Sequence, residues 1–141
     1  MLGLTDSLQT RVVGTVAALL SLGVLLVGAA LPPSPEGHGT HRALGLPPCG
    51  WVVAFDRPCP TCGMTTAVSN AAQGRAWAAI SAQPFGAMLA LAAGVMVVGG
   101  IHSAVNGSSP MRLLPIRRGG RWLLAIALLF GLAWLYKFLT W

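Results

Sequence analysis

The chain has 141 residues, of which 9% are charged and 55% hydrophobic, and it carries a formal net charge of +6. A soluble domain holds roughly 25% charged residues, so this composition excludes a water-coated globule and indicates an integral membrane protein of one domain. No nucleic acid partner is expected, because the basic residues would then share one soluble face, whereas Arg112, Arg117, Arg118 and Arg121 crowd between two apolar runs, the pattern of topology and anionic lipid contact.

Residues 12–31 form the first expected span, an uncharged run whose length of about 20 residues matches the roughly 30 Å hydrocarbon core. Gly28-Ala29-Ala30 would also suit a signal-peptidase cut; a retained span is the expectation. Residues 32–62 then break the pattern. Pro32, Pro33, Pro35, Pro47, Pro48, Pro58 and Pro60 fix φ and remove backbone donors, so no long helix runs through. With Gly37, Gly39 and Gly45 they make a loop outside the hydrocarbon. Its apolar stretch from Trp51 to Phe55 is too short to cross, and suits the interface with Trp51 at headgroup level.

Residues 63–82 read as an amphipathic helical hairpin lying on the membrane surface. Met64, Ala67, Val68 and Ala71 fall on one face, and Thr66, Ser69, Asn70 and Gln73 on the other. Gly74 suits the stop of the first helix, and a second short helix follows from Arg75 to Ala82. Pro84 is tolerated in a first turn and opens the second span, residues 84–105. Gly86, Ala90 and Gly94 recur every four residues along it, a stripe that predicts close approach of another helix. Residues 106–120 are a polar, basic connection, and residues 121–141 the third span. Trp122 marks one interface, while Trp134, Tyr136, Lys137 and Trp141 mark the other as an aromatic belt with a snorkelling lysine. The positive-inside rule then puts the basic connection and the N-terminus in the cytoplasm, and the cysteine loop and C-terminus outside.

All three cysteines, Cys49, Cys59 and Cys62, lie in the loop. Three chemistries are open to them. On an oxidising membrane face, a disulfide from Cys49 to Cys59 or Cys62 would staple the loop to the helix start; this is the favoured reading. A Cys59-Pro-Thr-Cys62 dithiol at a helix N-terminus suits thiol–disulfide exchange, since the dipole favours the thiolate, although the βαβ surroundings of such redox folds are missing. Three thiolates plus His38 or His41 would complete a tetrahedral zinc site. Attached c-type haem wants a histidine after the second cysteine, and Gly63 stands there.

The run Pro48-Cys49, nine residues, Cys59-Pro60-Thr61-Cys62-Gly63-Met64-Thr65, then Ala67 resembles a family of small bacterial membrane proteins of unknown function. Its members carry P-C, a nine-residue gap, then C-P-x-C-G-x-T-R-A. Gly74 and Gln83-Pro84 are similar to a glycine and an N-P pair that follow in the family. Thr66 stands where the family usually has Arg, and Gln83 where it usually has Asn. The resemblance covers roughly residues 47–105. It implies a bacterial cytoplasmic membrane, a shared fold type and a cysteine centre, and it implies no enzymatic activity.

His102, near the cytoplasmic end of the second span, is either an axial ligand for haem or a pigment, or an interfacial histidine bonded locally. The acids number three, Asp6, Glu36 and Asp56, and none lies in a span, so no hydrolase or transferase constellation is motivated. The sequence therefore predicts an all-α protein with three transmembrane helices and a cysteine-stapled external cap. It acts as an accessory subunit beside larger membrane partners, without a cofactor unless zinc, pigment or haem binds at the residues named.

Overall fold

The computed structural model describes residues 2–108 and 119–141. All regular structure among the described residues is helical: α1 (Leu2–Ala30), a 3₁₀ turn (Thr40–Leu44), α2 (Gly50–Phe55), α3 (Met64–Ala72), α4 (Ala76–Ala82), α5 (Pro84–Asn106) and α6 (Gly119–Leu139). Three stretches, Ser7–Ala30, Pro84–Asn106 and Gly120–Leu139, are long and apolar enough to cross a membrane. Helix α1 starts well before residue 12 because hydropathy marks the apolar part of a helix and not its hydrogen-bonded length. No proline interrupts residues 2–11. The basic connection with Arg112, Arg117 and Arg118 lies outside the described residues, while Arg121 is exposed on the first turn of α6.

Helix α5 begins where Gln83 folds back, its side-chain oxygen accepting the Gly86 N–H at 2.8 Å, with Pro84 supplying the pre-set φ of a first turn. It ends at Gly107, φ 67°, whose N–H bonds to Ser103 O. Helices α1 and α5 pack antiparallel, and their closest approach is at Gly14, Ala18, Gly100 and Ser103. A Cβ built on Gly100 would stand 2.5 Å from Gly14 O and 2.9 Å from Ala18 Cβ. The Arg11 guanidinium closes this end, donating to Ala104 O at 2.9 Å and Val105 O at 2.8 Å, a cation on the negative end of the α5 dipole.

The stripe expected to make the helix contact is therefore only partly used. Gly86 lies against α3, where an added Cβ would be 2.9 Å from Ala67 Cβ; Gly94 has open space around it. Four-residue steps rotate about 40° each around a helix of 3.6 residues per turn, so the three positions drift apart. Gly100, farther along, comes back to face α1.

A larger correction concerns α3. Its polar face points inward: Thr66 and Ser69 are fully buried and Asn70 nearly so. The two short helices form as expected, but α3 packs between the ends of α1 and α5 with its hydrogen-bonding side towards the protein. The reason is the C-terminus of α1, whose last carbonyls have no intrahelical partner. Ser69 Oγ donates to Leu31 O at 2.6 Å, and Gln73 Nε2 donates to Ala29 O at 3.1 Å and Leu31 O at 2.8 Å. The Thr66 hydroxyl bonds the Thr40 hydroxyl at 2.8 Å, and Thr40 Oγ1 accepts the Ser34 N–H at 2.9 Å. These bonds pin the proline-rich loop onto α3.

Helix α6 is held by side chains that reach α5 and the cap. Phe130 meets Phe85 edge-on at 5.2 Å, and Trp134 Nε1 donates to Pro58 O at 3.1 Å. Lys137 does not snorkel. It is only 6% exposed and donates to Gly37 O at 3.4 Å.

Candidate functional site

The cysteines sit at two adjacent chain reversals. Cys49 is the N-cap of α2, and α2 stops after two turns because Asp56 adopts the left-handed conformation, φ 51°, which aspartate tolerates better than most residues. The chain then returns through Pro58 to the turn Cys59-Pro60-Thr61-Cys62, closed by Cys62 N–H to Cys59 O at 3.0 Å. Gly63, φ 88°, starts α3. A side chain there would strike Ala82 O at 2.7 Å and Gly37 O at 2.8 Å, so both backbone angle and space require glycine.

These reversals bring Cys49, Cys59 and Cys62 together, with all three sulfurs within 4.8 Å of one another. The Cys59 and Cys62 sulfurs are 3.2 Å apart, and Cys59 Sγ lies 3.3 Å from Thr61 Oγ1. All three are free thiols, so the expected staple between Cys49 and its neighbours is not formed here. Cys62 is buried, and the other two are half-buried.

The two thiols of the turn differ in acidity. Burial opposes ionisation of Cys59, but hydrogen bonds from Thr61, Cys62 and Cys49 outweigh it, and its pKa falls below the usual thiol value. Burial pushes Cys62 up to about 12, reinforced by its hydrogen bond to Cys59, whose charge it would have to oppose.

The cysteines line a cavity of about 420 Å³ together with His38, His41, Arg42, Thr61, Thr65 and Thr66. Both histidines expected as a fourth ligand are therefore on its wall, yet neither ring joins the sulfur cluster. His38 places Nδ1 3.1 Å from Glu36 O, approaches the Glu36 carboxylate at 3.7 Å, and stacks on Trp141 with ring centroids 4.5 Å apart. His41 Nε2 is 3.1 Å from Pro47 O. The close set among the described residues is three sulfurs, not Cys₃His, because each ring finds a nearer backbone partner in its own loop.

His102 is remote from this centre. It is exposed on the last turns of α5, with Nδ1 3.1 Å from Asn106 Nδ2 and Nε2 3.5 Å from Ser108 Oγ. It borders an open apolar groove of about 1300 Å³ that runs along α1, α4 and α5 past Leu25, Ile80, Leu91 and Gly94.

Two features of the cap escape a reading by periodicity. The inward face of α3 looks solvent-facing until the end of α1 is known to lie against it. Lys137, the single lysine of the chain, reads as an interfacial anchor, although a cation inside an apolar run between Trp134 and Trp141 was a signal of a buried charge.

Residues 49–97 match the model of a protein family described as of unknown function, DUF2752. The match begins on the first cysteine, covers α2 to α4 and ends within α5, about a third of the chain. No curated protein and no solved structure matches the chain.

Proposed function

We propose that this chain is a small multi-pass membrane protein whose cap binds a divalent transition-metal ion, zinc by ligand type, on Cys49, Cys59 and Cys62. The observation that carries this reading is the convergence of three sulfurs from two separate turns to within 4.8 Å. Zinc–sulfur bonds of about 2.3 Å in a tetrahedral site put sulfurs about 3.8 Å apart, so closing on the ion takes shifts of about an ångström or less. Thiolates are soft ligands and select zinc or other thiophilic ions over calcium and magnesium. Binding releases three thiol protons and leaves a complex of charge −1, two positive charges against three negative. Water, or a ring nitrogen of His38 or His41 turned inward from the cavity wall, would fill the fourth position.

A second reading, dithiol–disulfide exchange, is favoured by the 3.2 Å separation of the Cys59 and Cys62 sulfurs. The Cys59 thiolate would attack a substrate disulfide and release one substrate thiolate. Cys62 would then attack the mixed disulfide, leaving a Cys59–Cys62 disulfide and a reduced substrate dithiol. This reading has no use for Cys49, which is why the metal reading ranks first.

In either case the chain acts as an accessory subunit of a bacterial membrane complex, with the cysteine cap outside. Arg11 and Arg121 sit at the helix ends away from the cysteines, which supports that orientation. The open apolar groove beside Gly94 supports packing against a larger membrane partner. Haem or pigment on His102 lacks such support, since both ring nitrogens already have polar neighbours.

The test is purification of the full-length protein from membranes in detergent without chelator, with elemental analysis and intact mass before and after alkylation. About one zinc ion per chain, with all three thiols protected until a chelator is added, is the expected outcome. Three freely alkylated thiols that take up no added zinc would sink the metal reading. A Cys59–Cys62 disulfide that exchanges with a dithiol reagent would transfer the conclusion to redox chemistry.

A further inference from the structure

Lys137 is among the most buried polar residues described, 6% exposed, and it forms no ion pair with a carboxylate among the described residues. Taking an ammonium out of water without an anion is costly, and its neighbours do little to offset that. The bond to Gly37 O is long at 3.4 Å, and the Trp141 ring lies 5.8 Å away. The carboxylates of the loop are engaged elsewhere or exposed: Glu36 turns to His38, and Asp56 caps α2 at the surface.

What Lys137 does reach is the backbone beside the cysteine centre. Gly37 O, which accepts its proton, also stands 2.8 Å from the position a Cβ would take on Gly63, the residue after Cys62. The ammonium is thus one carbonyl removed from Gly63, the residue that follows Cys62. Trp134, one turn earlier on α6, bonds Pro58 O, next to Cys59. The third span therefore holds a buried cation on the loop that packs against Gly63, and is anchored beside Cys59.

Resting on the metal-centre reading above, we propose that Lys137 is the counter-charge of the tri-cysteine centre, its ammonium neutralising the single negative charge left when three thiolates hold a divalent ion. The arithmetic also defines the ligand class. Three thiolates, one ammonium and a divalent ion sum to zero, whereas a monovalent ion would leave a net negative charge in a buried site. The residue lies outside the segment that the family model matches, 49–97, so this element of the centre belongs to the third span of this chain.

The test uses the full-length protein in detergent as wild type, Lys137→Met, Lys137→Arg and Cys62→Ser. Zinc affinity is measured against a competing chromophoric chelator, and thermal stability is measured on the metal-free forms. A unit charge about 8–12 Å from a partly buried anion, at an effective dielectric of about 20, is worth roughly a 10- to 30-fold change in affinity. Lys137→Met is expected to weaken zinc binding by that factor, and Lys137→Arg by less than about threefold. The metal-free Lys137→Met protein is expected to melt at the same temperature as wild type or higher, because a buried charge without a counter-ion has been removed.

Zinc binding by Lys137→Met at wild-type affinity overturns the proposal. So does a Lys137→Met protein that is less stable than wild type without metal, or fails to fold, since that is the signature of a structural lysine. If wild type and Cys62→Ser alike take up no zinc, the metal centre itself falls, a result distinguishable from failure of the lysine alone.

Discussion

The contact between α1 and α5 yields a pair of glycine substitutions with opposite expected effects. In Gly100→Ala the new Cβ would meet Gly14 O at 2.5 Å, Ala18 Cβ at 2.9 Å and Ala18 N at 3.0 Å. Two of these are backbone atoms of the facing helix, so no rotamer change relieves them and the helices must separate by roughly half an ångström to an ångström. Such a gap forfeits a quarter to a half of each contact along the crossing, and overpacking of this kind costs about 1–3 kcal/mol. The better helix propensity of alanine returns about 1 kcal/mol, leaving a net loss of up to about 2 kcal/mol. Gly94→Ala meets nothing within 4 Å, so only the propensity gain remains and the change is neutral or stabilising by up to about 1 kcal/mol. The assay is equilibrium unfolding of the purified protein in mixed micelles, followed by helix circular dichroism. Gly14→Ala combined with Gly100→Ala should cost less than the sum of the single changes, because one separation relieves both. A Gly100→Ala protein as stable as Gly94→Ala would refute the assigned helix crossing.

Further outcomes follow from the cap and the thiols. Ser69→Ala removes the 2.6 Å bond to Leu31 O; with Gln73 still donating there, the expected loss is about 1 kcal/mol, measured by the same unfolding assay. Arg11→Met strips two bonds from the C-terminal carbonyls of α5 and is expected to cost about 1 kcal/mol. In metal-free protein, a small alkylating reagent near neutral pH should label Cys59 well before Cys62, as peptide mapping of the labelled thiols would reveal. The pH dependence of stability follows from the raised Cys62 value, about 12 against 9.0 for a free thiol. The folded state then holds the proton more tightly than the unfolded one, so this contribution is complete below about pH 9 and is lost as pH rises towards 12. Cys59, shifted the other way, contributes with opposite sign, and Cys62→Ser should remove the alkaline loss in a pH series of melts.

Much of the architecture was legible because lipid imposes a simple requirement: backbone groups in hydrocarbon must be satisfied within a helix. Three long apolar runs therefore had to be three helices, and the prolines of residues 32–62 had to lie outside them. The short helices were legible too, from the stop at Gly74 and the first-turn Pro84. The cysteine spacing drew attention to three residues whose sulfurs the fold brings together. It left open whether they would form a disulfide, a dithiol pair or a metal site, since C-x-x-C spacing alone is compatible with each.

Contacts between distant segments were decided only in three dimensions. Thr66, Ser69 and Gln73 looked like a solvent face because polar side chains usually seek water; here Ser69 and Gln73 seek the unpaired carbonyls at the end of α1, and Thr66 pairs with Thr40 in the loop. The Gly86, Ala90 and Gly94 repeat marked where a helix could approach; Gly86 does meet α3, but the contact with α1 falls at Gly100, outside the repeat. Lys137 is 75 residues beyond Cys62 in the chain, and no local pattern links them. Sequence periodicity reports the solvent each residue prefers, apolar or aqueous, and so determined the class, the spans and the loop. The pairing of donors with orphaned acceptors, and of a buried cation with a group able to become an anion, depends on which chain ends meet, and that only the tertiary structure decided.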